Sequence, residues 1–186
     1  MKILLPMLLL GLGQPASLLA ETWQGTAAIS FAGTSTLHDW SGKVDAAPFA
    51  TEVTMRNGKP RRVAAKVIVK AAEMDTAEPR RDANMLEAMK AGTYPLITAK
   101  IDADFSSIAT AGAAPTLLPM ELTLLGRPQK VEGKISNWQV NGGQATFDLD
   151  FPVSMKTSGI SVPAVLVFIR VGDGVKVHAS VKLEHN

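Results

Sequence analysis

The chain has 186 residues, with 19 basic side chains against 17 acidic and no cysteine. A charge so close to neutral leaves no electrostatic footprint for nucleic acid, and the lack of cysteine excludes disulfides and thiol chemistry. The length suits a single domain with a core of its own.

In chain order, the first segment stands apart from that core. Lys2 precedes an apolar run, Ile3 to Leu12, interrupted only by Pro6 and Gly11, and Gln14, Pro15, Ala16 and Ser17 follow. The run is too short to span a bilayer, so residues 1–20 read as a secretory signal peptide cut after Ala20. No Cys follows for lipid attachment, and no later segment is apolar for long enough to cross a membrane. Residues 21–186 are thus expected to form one exported domain, located in the periplasm.

Most of the rest keeps a two-residue beat, the mark of half-buried antiparallel strands. Early on, Phe31, Trp40 and Val44 fall on inward faces, and Asn57-Gly58 marks a hairpin turn before Val63, Ala65, Val67 and Val69. One amphipathic helix then interrupts the strands. Thr76 is placed to cap it, Pro79 to occupy its first turn and Asp82 to face its positive end, with Met85, Leu86 and Met89 as its apolar stripe. Gly92 is expected to end it in a left-handed conformation, and Tyr94-Pro95 leads into Ile97, Ala99, Ile101, Ala103 and Phe105. Such a helix would lie across a barrel opening or along a flank. Met85 either packs there or faces a lumen.

Ala109 to Pro115 is small and flexible and reads as a long loop. Beyond it, Leu122 and Ile135 point inward, while Trp138 is out of phase with Ile135, which implies a bulge or an outward position. Asn141-Gly142-Gly143 turns the chain into Ala145–Met155, whose inward side carries Phe147, Leu149 and Phe151. From Ala164 to Val171 both faces are apolar, with Leu166 and Phe168 on one side and Val165, Val167 and Ile169 on the other. Either the helix or a second copy in a homodimer would cover the outer face. Gly172-Asp173-Gly174 is expected to separate this run from the closing strand Val175, Val177, Ala179, Val181 and Leu183. An all-β succession of this kind forms a sandwich or a closed barrel. Small residues at Ala65, Ala99, Ala103 and Ala179 would leave room inside a barrel.

Catalytic chemistry finds little support. In strand phase His38 shares a face with Trp40, toward the interior, but Asp39 points the other way and makes no dyad with it; no Gly-x-Ser-x-Gly elbow is present. A structural His, or one that contacts a ligand head group, fits better. His178 lies with Lys176 and Lys182 on the solvent side and His185 ends the last strand, so no metal-ligand spacing exists. Arg80-Arg81-Asp82 is either an anion clamp or a solvated helix start with Asp82 serving the dipole.

At the helix the residues resemble a known family. Thr76, Arg81-Asp82, Met85-Leu86, Met89 and Tyr94-Pro95-Leu96-Ile97 look like the signature of the YceI-like family. Leu122 to Val131, with Gly126 and Lys130-Val131, is similar to its strand–turn–strand element, and Val171-Gly172-Asp173-Gly174-Val175-Lys176-Val177 to its closing segment. Departures are the Gly33–Trp40 stretch, Ala99 where Phe is usual, and the reduced Thr157-Ser158-Gly159-Ile160.

The resemblance implies an antiparallel lipocalin-like β-barrel with one short helix. It also implies a carrier that holds a polyisoprenoid, an isoprenoid quinone or a similar amphiphilic lipid in its lumen, with no catalytic residues and no other cofactor. The lining expected for that ligand is Phe31, His38, Trp40, Val44, Val67, Met85, Ile101, Phe105, Leu122, Ile135, Phe147, Leu149, Phe151, Leu166 and Phe168. Two rival readings are a His38-dependent enzyme acting on a lipid-like substrate and a structural envelope protein whose barrel is collapsed and empty.

Overall fold

The two-residue alternation is realised as one antiparallel sheet that closes on itself. The computed structural model describes residues 18–110, 112–161 and 170–185. Its strands are β1 (Leu18–Ser35), β2 (Trp40–Asp45), β3 (Phe49–Arg56), β4 (Lys59–Lys70), β5 (Leu96–Asp104), β6 (Leu117–Leu124), β7 (Arg127–Asn141), β8 (Gln144–Ser154) and β9 (Val171–Glu184). From β3 to β9 each strand pairs with the next, and β9 pairs with β1 from Gln24 to Ser35, which completes the barrel.

β2 and β3 are two pieces of one stave, so nine strands make an eight-stave barrel. On β1, Gly25 faces Phe49 and Ala28 faces Asp45, so the opposite side spends one extra residue between the two registers. That residue is accommodated at Ala46-Ala47-Pro48. Pro48 has no N–H to donate, while Ala46 donates to the Ala27 carbonyl and Ala47 turns the other way to the Ile68 carbonyl, both at 2.9 Å.

Three hairpins turn on two left-handed residues each: Asn57-Gly58 (φ 53° and 70°), Leu125-Gly126 (φ 49° and 70°) and Gly142-Gly143 (φ 55° and 83°). This is the geometry whose twist matches that of the flanking strands. Leu125 is the unexpected member, since a branched side chain disfavours positive φ. Its side chain is buried beside Met89 and Leu124, and that burial offsets the backbone cost.

Helix α1 (Pro79–Ala88) departs from the sequence expectation at both ends. Its cap is Glu78, whose carboxylate accepts from the Arg80 N–H, and Thr76 does not cap it. Thr76 is buried and donates both its N–H (2.9 Å) and its hydroxyl (2.7 Å) to Asp82 Oδ1, so this carboxylate ties the entry strand to the first helical turn. At the far end Lys90, not Gly92, takes the left-handed conformation (φ 49°).

Two other expectations are corrected and one open choice is resolved. Phe105 leaves the strand and opens a short helix, α2 (Phe105–Ile108). Gly172-Asp173-Gly174 is no turn but the paired start of β9, with Gly174 opposite Ser154. The open choice at Trp138 resolves to a bulge: the β7–β8 register slips between Ser136 and Gln139, Asn137 adopts φ 53°, and Trp138 is turned back against the core 5.4 Å from Phe147. The apolar run from Ala164, with Leu166, Phe168 and the question of what covers its outer face, lies outside the described residues up to Ile169.

The two ends of the barrel are filled differently. At one end Ile101, Ala103, Leu118, Met120, Ile135, Leu149 and Ala179 pack together, with Ile108 of α2 buried among them and Phe105, Trp138 and Phe147 against them. Here the small Ala103 and Ala179 are buried among larger neighbours and do not border the cavity. At the other end, beneath α1, the side chains stand apart.

Candidate functional site

A cavity of about 420 Å³ occupies the α1 end of the barrel. Its wall is built from the next inward positions along the strands that form the solid end: Val67 and Val69 on β4, Ile97 and Ala99 on β5, Leu122 and Leu124 on β6, Phe151 and Val153 on β8, Val175 and Val177 on β9. Ile29, Phe31, Trp40 and Val44 complete it from β1 and β2, and α1 covers it with Met85, Ala88 and Met89. Almost all of this surface is aliphatic or aromatic.

Two of the large rings in the wall, Phe31 and Trp40, are held off the lumen, and glycines explain why. Phe31 pairs across strands with Gly42, and Trp40 with Gly33. A Cβ on Gly42 would collide with the Phe31 ring, and one on Gly33 with the Trp40 indole. Each ring therefore lies over a bare stretch of the neighbouring backbone, pressed to the wall, with the two centroids 6.4 Å apart at 64° in an edge-on contact. The Trp40 indole N–H is buried there with no hydrogen-bond acceptor among the described residues.

Polar groups gather at the rim. Ser35 ends β1, His38 comes from the β1–β2 loop, Thr76 from the segment before α1, and Arg81 and Asn84 from α1 itself. His38 is exposed in this loop, with its backbone N–H and carbonyl held by the Ser35 hydroxyl. The strand phase that placed it inward beside Trp40 ends at Ser35, because the chain must turn there. Among the described residues no side chain is hydrogen-bonded to its imidazole as a nucleophile or orienter would be. The groups whose pKa is displaced, Lys70, Asp148, Asp173 and Glu184, are absent from the cavity wall. Among the described residues no three His, Cys, Asp or Glu cluster so as to hold a metal.

Of the expected lining, Phe31, His38, Trp40, Val44, Val67, Met85, Leu122 and Phe151 border the cavity. Ile101, Phe105, Ile135, Phe147 and Leu149 pack at the solid end and do not border the cavity, so their expected place in the lining is corrected: the neighbouring side chains there enclose them. Leu166 and Phe168 lie outside the described residues. The reading of the sequence missed Val69, Leu124, Val153, Val175 and Val177, which continue the same strand phases two residues toward α1. It also left Arg81 undecided, and its side chain borders the cavity.

A model of the YceI-like domain matches residues 23–183 of the chain. BcnA of Burkholderia cenocepacia is similar in structure, with a TM-score of 0.65 at 18% identity, over 84% of this chain and 95% of that one. So is a domain from Saccharophagus degradans described as polyisoprenoid-binding and implicated in plant cell wall breakdown, with a TM-score of 0.65 at 11% identity, over 88% of this chain and 98% of that one. No curated protein matches.

Proposed function

The chain belongs to the YceI-like family, and from that premise we propose that it is a periplasmic carrier, not an enzyme, that holds a polyisoprenoid, an isoprenoid quinone or a similar amphiphilic lipid in its barrel. The observation that carries this reading is the apolar cavity under α1, walled by valine, leucine and flattened rings and polar only at its mouth. A cavity of 150 Å³ suffices for benzene, so 420 Å³ accommodates about 17 carbon atoms, or three to four isoprene units. Each methylene moved there from water contributes about 0.8 kcal/mol, so a prenyl tail needs few polar contacts. The structural relative described as polyisoprenoid-binding supports the ligand class.

Export through the signal peptide 1–20 is part of the proposal. β1 begins at Leu18, but Leu18 and Leu19 are 67% and 63% exposed, so cleavage after Ala20 trims a strand end without opening the core.

Native mass spectrometry of the protein purified from its own source, followed by organic extraction, tests the reading. The expected result is one prenyl-type molecule per chain and a chain mass beginning at Glu21. A bare chain mass, together with no uptake of offered prenyl lipids, would overturn it.

A further inference from the structure

Arg81 is a cation in the border of an otherwise apolar cavity, and the carboxylates around it are engaged elsewhere. Asp82 accepts both hydrogen bonds from Thr76. Asp75 accepts from the Ala77 N–H and pairs with Lys43 at 3.9 Å, and Glu78 accepts from the Arg80 N–H. No ion pair to Arg81 occurs among the described residues, whose ion pairs involve Lys43, Arg62, Lys70, His178 and Lys182. Its guanidinium offers five N–H donors, and among the described residues it makes a single long hydrogen bond, from Nη1 to the Thr76 carbonyl at 3.5 Å. The side chain is half-buried, and Asn84 and His38 border the same mouth.

Resting on the lipid-carrier reading above, we infer that the ligand is an amphiphile with an anionic oxygen head, a phosphate or carboxylate, seated by Arg81 at the mouth while the tail fills the wall of valine and leucine. The planar fork of arginine binds two oxygens of such a head at once, and the half-sheltered position limits screening by solvent. A neutral prenyl alcohol has the same tail and cannot form that pair. This also decides between the two sequence readings of Arg80-Arg81-Asp82: Arg81 is the head-group clamp, and Asp82 is the tie that fixes the turn from which it projects.

The test is a titration of the full mature chain with farnesyl monophosphate and with farnesol, whose shared 15-carbon tail lies within the cavity's capacity of about 17 carbons. The titration follows Trp40 fluorescence and covers wild type, Arg81→Gln and the outer-wall control Lys66→Gln. Wild type is expected to bind the phosphate about tenfold more tightly than the alcohol, as a charge-assisted pair warrants. Arg81→Gln is expected to keep the wild-type far-ultraviolet circular dichroism, which shows that it folds, and to lose the preference; Lys66→Gln is expected to keep both. Equal affinity of wild type for both ligands, or a preference that survives Arg81→Gln, would overturn the inference and leave the carrier reading standing. Failure of wild type to bind either ligand would remove both.

Discussion

Gly42 shows how a single missing methyl group makes room several ångströms away. With no Cβ in the way, the Phe31 ring lies on the β2 backbone; with one, the ring has to swing off the wall into the space beneath α1. Gly42→Ala is therefore expected to cost about 1–3 kcal/mol of stability, the range for overpacking, and to weaken prenyl uptake as well. Thermal unfolding and ligand titration on the same sample check this. A variant that binds farnesol as wild type does would show that the ring's position does not control the lumen. Gly33 beneath Trp40 uses the same device, and so does Gly25 beneath Phe49 outside the cavity wall. The pairs were not legible in the sequence. A glycine in a strand announces close approach of something, but which ring arrives depends on a register between β1 and β2 that no local pattern states.

Among the elements, β7, β8 and β9 are held on their outer face by two aspartates. Asp148 accepts from the Asn137 side chain at the bulge (2.7 Å) and from the Ser180 hydroxyl (2.9 Å), while Asp173 accepts from the Lys156 N–H and the Ser154 hydroxyl. These hydrogen bonds favour the charged form and hold both carboxyls below their ordinary value of 3.8, those of Asn137 foremost for Asp148 and that of the Lys156 N–H foremost for Asp173. A folded-state pKa lower than the unfolded one means that the unfolded chain binds protons first. The stabilisation is thus fully present above about pH 4 and is lost as pH falls through the folded-state values. Urea midpoints between pH 6 and pH 2.5 are expected to fall more steeply for wild type than for the double variant Asp148→Asn, Asp173→Asn, which starts from a lower midpoint at neutral pH. Parallel curves would show that neither carboxylate is linked to folding.

The same elements mark where reading by pattern ends. Alternation from Ala145 to Met155 is enough to draw β8, yet the bulge at Asn137, which turns Trp138 inward, shows in the sequence only as a conflict of phase with Ile135. The end of α1 passed from Gly92 to Lys90, and Phe105 left its strand to start α2, because each local choice is settled by what it packs against.

For the whole molecule, period alone announced an all-β succession with one helix but left a sandwich and a closed barrel open; closure was legible only through the family resemblance. The division of the barrel into a solid end and a hollow end was not legible. Ile101, Ile135 and Leu149 have the same inward phase as Val67, Leu122 and Phe151, so period cannot say which set faces a cavity. The difference comes from α2, which pushes Ile108 among the first set, and from the bulge that adds Trp138 to it, whereas the second set lies under a helix held at its first turn by Asp82.

That asymmetry also governs how the protein responds to compression. Unfolding eliminates internal volume that side chains do not fill, so the fold's resistance to hydrostatic pressure weakens as that volume grows. The cavity of about 420 Å³ puts such volume beneath α1, so high-pressure fluorescence of single-tryptophan variants is expected to report early melting around Trp40 while Trp138, packed in the solid end, still signals native packing. Farnesol in the medium is expected to bring the two transitions together at higher pressure. The solid end would then act as a keel, beside which the hollow end keeps its shape in the measure that something else shares the space with it.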